Sequence, residues 1–155
     1  MKIYVLGSSR FMKEMVECSV KLREMGYDGW IHPDYEAFVR GEKKDIVDRS
    51  FSGKRGEHAA IKRENNYLKV HYEHILSSDV ILFVNAVKNG IKNYIGGDVL
   101  IEMGQAYVNG KPIFFLYDMP EESSYLDEIE AMDPICLHGD LSNIKKYVPL
   151  IISRS

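Results

Sequence analysis

Val80-Ile81-Leu82-Phe83-Val84, followed after a polar loop by Gly96-Gly97-Asp98-Val99-Leu100-Ile101-Glu102-Met103-Gly104-Gln105-Ala106-Tyr107, decides the fold. The first run is apolar on both faces, the pattern of a strand in the middle of a parallel sheet. The second reads as a glycine turn opening a helix, with Asp98 placed to cap its first turn. At about 100° per residue, Val99, Leu100, Met103, Ala106 and Tyr107 share one core-facing arc. Glu102 falls at the edge of that arc, close to the helix start. The positive end of a helix favours the ionised form of a carboxyl group placed there. Glu102 is therefore a candidate nucleophile or base at a strand-to-helix junction. An ordinary first-turn glutamate is the plainer alternative.

Upstream, Lys2-Ile3-Tyr4-Val5-Leu6 is a short strand ending at Gly7-Ser8-Ser9-Arg10, and Phe11 to Met25 is an amphipathic helix. That order, strand then small polar turn then helix, points backbone N–H groups at the place an anion would occupy. The same serines also serve as simple helix caps. Gly29 to His32 reads as a second strand closed by Pro33. Residues 34–56 carry mixed signals and predict a loop-rich excursion over the site. Glu57 to Leu76 reads as one long helix. Asp79 precedes the third strand at its far end and reads as structural, whereas Asn85 stands at its carboxyl end. Ile113 to Tyr117 and Pro134 to Leu137 are further strands. Residues 123–132 and Asp140 to Tyr147 are helices.

This alternation predicts one domain, residues 1–155, with an α/β flavodoxin-like three-layer sandwich and a five-stranded parallel sheet in the order 2-1-3-4-5. In that order the first and third strands are adjacent, and ligands bind beyond their carboxyl ends. Gly7, Ser8, Ser9, Arg10, Asn85, Gly96, Gly97, Asp98 and Glu102 all converge there. For Asp98, capping the helix competes with hydrogen-bonding a sugar hydroxyl.

With 155 residues, 45% of them hydrophobic, the chain suits a single core. Its formal charge of -3 gives no basic field for a nucleic-acid polymer. Met1-Lys2 runs directly into a strand and no apolar run spans a bilayer, so the expected setting is cytoplasmic, with no membrane partner. Cys18 and Cys136 lack CxxC spacing and read as reduced thiols. The five histidines show no HExxH pattern, and no metal or cofactor is expected. There is no GxxxxGK[ST] loop, no GxGxxG and no GxSxG elbow.

Ser78 to Val84, the glycine turn, and Glu102-Met103-Gly104-Gln105-Ala106 together resemble the nucleoside 2-deoxyribosyltransferase superfamily, which includes 2′-deoxynucleoside 5′-phosphate N-hydrolases. Ile3 to Arg10 is similar to the opening of those hydrolases, where a G-S-x-R segment lies under the nucleotide. The resemblance implies that Glu102 is a nucleophile on the anomeric carbon of a (deoxy)nucleoside or nucleoside 5′-monophosphate. It also implies an acid two helical turns before the third strand. The family has an aspartate there and this chain has His71, so His71 or Glu73 is the expected proton donor. The family's phosphate-holding serine is replaced by Gly96 and Gly97, whose N–H groups would substitute, helped by Lys88 or Lys92. A homo-oligomer is implied as well. Two other readings compete: a lysine-decarboxylase-like ribonucleotide phosphoribohydrolase, whose PGGxGTxxE turn Gly96, Gly97 and Glu102 echo, and a nucleotide-binding or sensing module without turnover. A flavodoxin-like electron carrier is a fourth, poorer fit.

Overall fold

The computed structural model describes residues 1–152. Strands β1 (Lys2–Gly7), β2 (Asp28–Trp30), β3 (Val80–Val84), β4 (Ile113–Phe115) and β5 (Ile135–Cys136) form one parallel sheet in the order β2-β1-β3-β4-β5. Helices flank both faces, giving the flavodoxin-like α/β architecture that the alternation of elements predicts. β1 and β3 run side by side from Ile3 opposite Val80 to Gly7 opposite Val84.

The period of two along these strands divides the core. Ile3, Val5, Val80, Leu82 and Val84 pack with Met15 and Leu22 of helix α1 (Met12–Glu24). Tyr4, Leu6, Ile81 and Phe83 pack with Val99, Met103 and Ala106 of helix α6 (Gly97–Val108). Every residue of β3 is buried, as a central strand requires. Gly29 lets β2 lie hard against α1. A Cβ there would sit 2.5 Å from the Ser19 carbonyl oxygen and 2.7 Å from Leu22 Cβ.

Several boundaries differ from the sequence expectation, each for a local reason. β2 starts and ends earlier than Gly29 to His32. His32 instead caps helix α2 (Pro33–Val39), with Pro33 in the first helical position. Residues 34–56 are helical rather than loop-rich: most of α2 lies there, with α3 (Lys44–Phe51) after it. Both are short, α2 spanning seven residues and α3 eight, and α3 buries none of its residues, so each offers too few turns for its period to stand out in the sequence. The segment does cover the site, as expected.

The long helix over residues 57–76 is two helices, α4 (Glu57–Glu64) and α5 (Tyr67–Leu76). Asn66 breaks it with φ of 51°, a left-handed conformation that asparagine tolerates better than most residues. Asp98 does not cap α6. The cap position is Gly96, and Asp98 lies inside the first turn. Tyr107 leaves the core arc and is 54% exposed. β4 stops at Phe115 because the Tyr117 N–H is taken by the Asn85 side chain, at 3.0 Å. After α7 (Leu126–Ala131), the last expected helix is a 3-10 run, Leu141–Lys146, followed by α8 (Val148–Ile152). Asp140 caps the 3-10 run through Ser142 N, at 2.9 Å.

Candidate active site

A crevice of about 650 Å³, counting the space at its mouth, opens beyond the carboxyl ends of β1 and β3. Gly7 and Ser9 form its floor beside Glu102 and Asp98 of α6. Asp34, Tyr35 and Phe38 of α2, Ile46 and Ser50 of α3, and His58, Ile61 and Lys62 of α4 cover it. Tyr67, Leu68 and His71 of α5, with His32, close one end. Gly7 can be nothing larger: a Cβ would meet the Val84 carbonyl oxygen at 2.8 Å.

Glu102 lies in the second turn of α6 and is 6% exposed. Its Oε2 is buried with no hydrogen-bond partner. Burial pushes its carboxyl well above the ordinary carboxylate range, and Asp98 one turn earlier adds to the effect. Lys62 opposes this only in part. The expectation of an ionised Glu102 at the helix start is thereby corrected: desolvation outweighs the helix dipole, whose influence fades beyond the first turn. Lys62 Nζ is bound to Asp98 at 2.6 Å, so Asp98 is an ion-pair partner rather than a cap.

His71 is 7% exposed and hydrogen-bonded through Nδ1 to the Tyr4 hydroxyl. Burial holds that hydroxyl protonated, and Glu102 reinforces this. A protonated hydroxyl can donate to Nδ1 or accept from it, and the tautomer of the ring sets the direction of this bond. Burial, then His32 and His74, push His71 down to about 4. At neutral pH His71 is an uncharged ring with no ready acidic proton, which argues against the protonated-histidine role. The rings of Tyr4, His32 and Tyr67 have their centroids 6.1, 5.6 and 5.9 Å from its own.

A stability prediction follows from this ring. Its folded-state pKa lies below the ordinary 6.5, so its contribution is complete above pH 6.5 and is lost as pH falls toward 4. The loss is on the order of 3 kcal/mol. Thermal melts of the wild type should lose ground across that window relative to a variant without the ring, because Glu102 acts in the opposite sense in both. His71→Gln, whose side-chain carbonyl can accept from Tyr4, is such a variant. Parallel pH curves for the two proteins would refute the assignment.

Of the residues expected in the site, Gly7, Ser9, His71, Asp98 and Glu102 come together. Five others do not line the crevice. Ser8 caps the 3-10 turn over Ser9–Phe11, accepting weakly from Arg10 N at 3.4 Å. Arg10 stacks over the Phe51 ring, 4.2 Å from its centroid. Asn85 is fully buried and ties β3 to the segment after β4, donating to Asp118 O at 2.8 Å. Gly96 packs beneath Tyr94, and Gly97 is exposed. Lys88 lies over Tyr94, and Lys92 is exposed, so the lysine in the crevice is Lys62. Glu73 is exposed and pairs with Lys69. Asp79 is structural as read, accepting from Lys2 N at 2.7 Å.

Asp34, Tyr35, Tyr67, His32, His58 and Lys62 are the site residues that motif reading misses. The cluster His32-Pro33-Asp34-Tyr35 offers one signal: a helix-start pattern directly after β2, at the sheet edge where ligands bind. Among the described residues, no group of three or more His, Cys, Asp or Glu side chains is placed to hold a metal ion. No helix among them is long and apolar enough to cross a membrane. Cys18 and Cys136 are free thiols. Comparison with protein-family models, characterised proteins and solved structures gives no match.

Proposed function

We propose that this crevice binds a nucleoside or nucleoside 5′-monophosphate and that Glu102 cleaves or transfers its N-glycosidic bond. The observation that carries the reading is the Glu102 carboxyl. It is buried, unpartnered at Oε2, and set where β1 and β3 end under aromatic side chains. A carboxyl group left without a partner in a native interior is costly and calls for a ligand. Tyr35, Phe38 and Tyr67 offer flat apolar faces for a base. Ser9 from the floor and Lys62 from the cover line the same crevice, suited to a sugar hydroxyl or phosphate.

In the reaction, a Glu102 oxygen bonds to the anomeric carbon while the bond from that carbon to the base nitrogen breaks. The bond's electron pair stays with the base, which needs a proton to leave. Burial favours the protonated form of Glu102; that proton passes to the base nitrogen as the glycosidic bond breaks, so the base leaves neutral and the Glu102 oxygen is freed to bond the anomeric carbon. The negative oxygen then stabilises the oxocarbenium-like transition state. Water or a second base resolves the glycosyl ester, giving hydrolysis or transfer.

A second reading, a binding module without turnover, is favoured by one observation. Glu102 is pushed toward its protonated form and His71 rests uncharged, so Glu102 is not a ready nucleophile and His71 is not a ready acid. Incubation with a 2-deoxy-2-fluoroarabinosyl nucleoside, followed by peptide mass spectrometry, separates the two. A glycosyl adduct on Glu102 with free base in solution supports the enzyme. Ligand-induced stabilisation with no adduct and no base supports the module.

We also propose a homo-oligomer. Ile101, Tyr107 and Val108 project from α6 at 50%, 54% and 78% exposure, on the helix that carries Glu102. Sedimentation should yield a dimer or larger species, and a monomer across micromolar concentrations would refute it.

A further inference from the structure

The crevice holds a second carboxylate that no motif marks. Asp34, in the first turn of α2, lines it together with Glu102, and its side chain is 15% exposed. Three side chains hold Asp34. Lys43 Nζ pairs with Oδ1, the Tyr67 hydroxyl donates to Oδ2 at 2.6 Å, and His32 Nδ1 lies 3.9 Å from Oδ2. His32 is itself fixed, accepting from the Asp34 backbone N–H at 3.2 Å. Burial pushes the Asp34 carboxyl up, but the hydrogen bonds from Lys43 and Tyr67 outweigh it and hold the group below the ordinary range. The two carboxyl groups of the crevice are thus pushed in opposite directions: Asp34 toward its ionised form by its hydrogen bonds, Glu102 toward its protonated form by burial.

An ionised carboxylate has about four lone-pair directions. Lys43 and Tyr67 occupy one on each oxygen. Asp34 lines a crevice walled by Tyr35, Phe38 and Tyr67 and is largely desolvated, and an unfilled acceptor on a charged group is expensive in such a place. A carboxylate offers only acceptors, so its complement is a neutral donor, an N–H or O–H group of the ligand.

We propose that Asp34 is a specificity-determining residue that accepts a hydrogen bond from a donor group on the ligand, either the exocyclic amine of a base or a sugar hydroxyl. This rests on the reading of the crevice as a nucleoside site. It predicts that the crevice discriminates by hydrogen bonding, where rejection is steeper than by apolar fit.

The test is calorimetric binding to Glu102→Gln, which holds ligand without turnover, with and without Asp34→Asn. The ligands are 2′-deoxyadenosine, 2′-deoxycytidine, 2′-deoxyinosine, thymidine and 2′,3′-dideoxyadenosine, with their 5′-monophosphates. Asp34→Asn should weaken the ligands that supply the donor by about tenfold or more and leave matched analogues lacking it unchanged. Loss confined to amino bases assigns the base edge. Loss for all except the 2′,3′-dideoxy ligand assigns the sugar. Tyr67→Phe, which leaves the carboxylate in place, should weaken the same ligands selectively. That variant keeps the test decisive if Asp34→Asn folds poorly. Equal affinity in all variants, or equal loss for every ligand, would overturn the role of Asp34 alone. Failure of the wild type to bind any of these ligands would overturn the reading of the crevice itself.

Discussion

Glu102→Gln should abolish base release, by about a thousandfold or more, and at the same time make the protein harder to unfold at alkaline pH. The first effect follows if Glu102 forms the bond to the anomeric carbon, because an amide cannot replace a carboxylate there. The second follows from linkage. The Glu102 carboxyl is raised in the folded chain above its ordinary 4.5. Its contribution to stability is therefore complete below about pH 4.5 and is lost as pH rises through the folded-state value. Glutamine has no charge to develop. Melting curves of the two proteins should nearly coincide at pH 5 and separate by about 2–4 °C in favour of Glu102→Gln by pH 9. Near-normal turnover in the variant would remove Glu102 from the reaction. A wild type that keeps its stability to pH 9 would show that Glu102 is not the buried acid described here. His71 acts in the opposite sense, losing stability toward acid, so the two groups together set a maximum at intermediate pH.

Gly29→Ala should cost about 2–4 kcal/mol, a large share of a typical domain's stability. The added methyl carbon would stand 2.5 Å from the Ser19 carbonyl oxygen, 2.7 Å from Leu22 Cβ and 3.3 Å from the Ser19 carbonyl carbon. Ser19 and Leu22 are fully buried, so neither can swing aside. α1 would have to lift from the sheet, stripping contacts from Met15 and Leu22 as it moved. The melting temperature should drop by about 10 °C. Gly97→Ala is the control. No atom lies within 4 Å of the place its methyl group would occupy, and the residue lies in the first turn of α6, so its effect should be within about 1 kcal/mol. A Gly29→Ala protein as stable as the control would mean that the packing of α1 on β2 is looser than described.

What could be read from the chain alone was whatever local pattern dictates. The all-apolar run at β3, the strand at Lys2 and the glycine turn before α6 gave the sheet, its order and the place of Glu102, because periodicity and turn chemistry are local signals. Asn85 misled for a related reason. Its position at a strand end suggested a ligand contact, but its amide binds two neighbouring backbone groups more than thirty residues away in the sequence, Tyr117 N and Asp118 O. Asp34 and Lys62 escaped notice because their significance lies in partners brought by other helices: Lys43 and Tyr67 for one, Asp98 for the other. The protonation of Glu102 was misjudged on physical grounds. The helix dipole can be inferred from a sequence, but the burial that outweighs it cannot.

The segments above the crevice are fastened differently from the sheet beneath. α3 has no buried residue, and Ala37 and Ile61 are the buried residues of α2 and α4. Charge pairs add to the few apolar contacts of these helices, among them Tyr35 against the core. Arg49 grips Glu57 and Glu64 at 2.8 Å each, Arg23 reaches Glu36 at 3.2 Å, and Lys62 binds Asp98. Such pairs are screened by dissolved ions, whereas the oily contacts of β1 and β3 are not. Raising the ionic strength should therefore loosen the cover before it loosens the sheet, and faster amide hydrogen exchange in α3 and α4 than in β1 and β3 at high salt would show it.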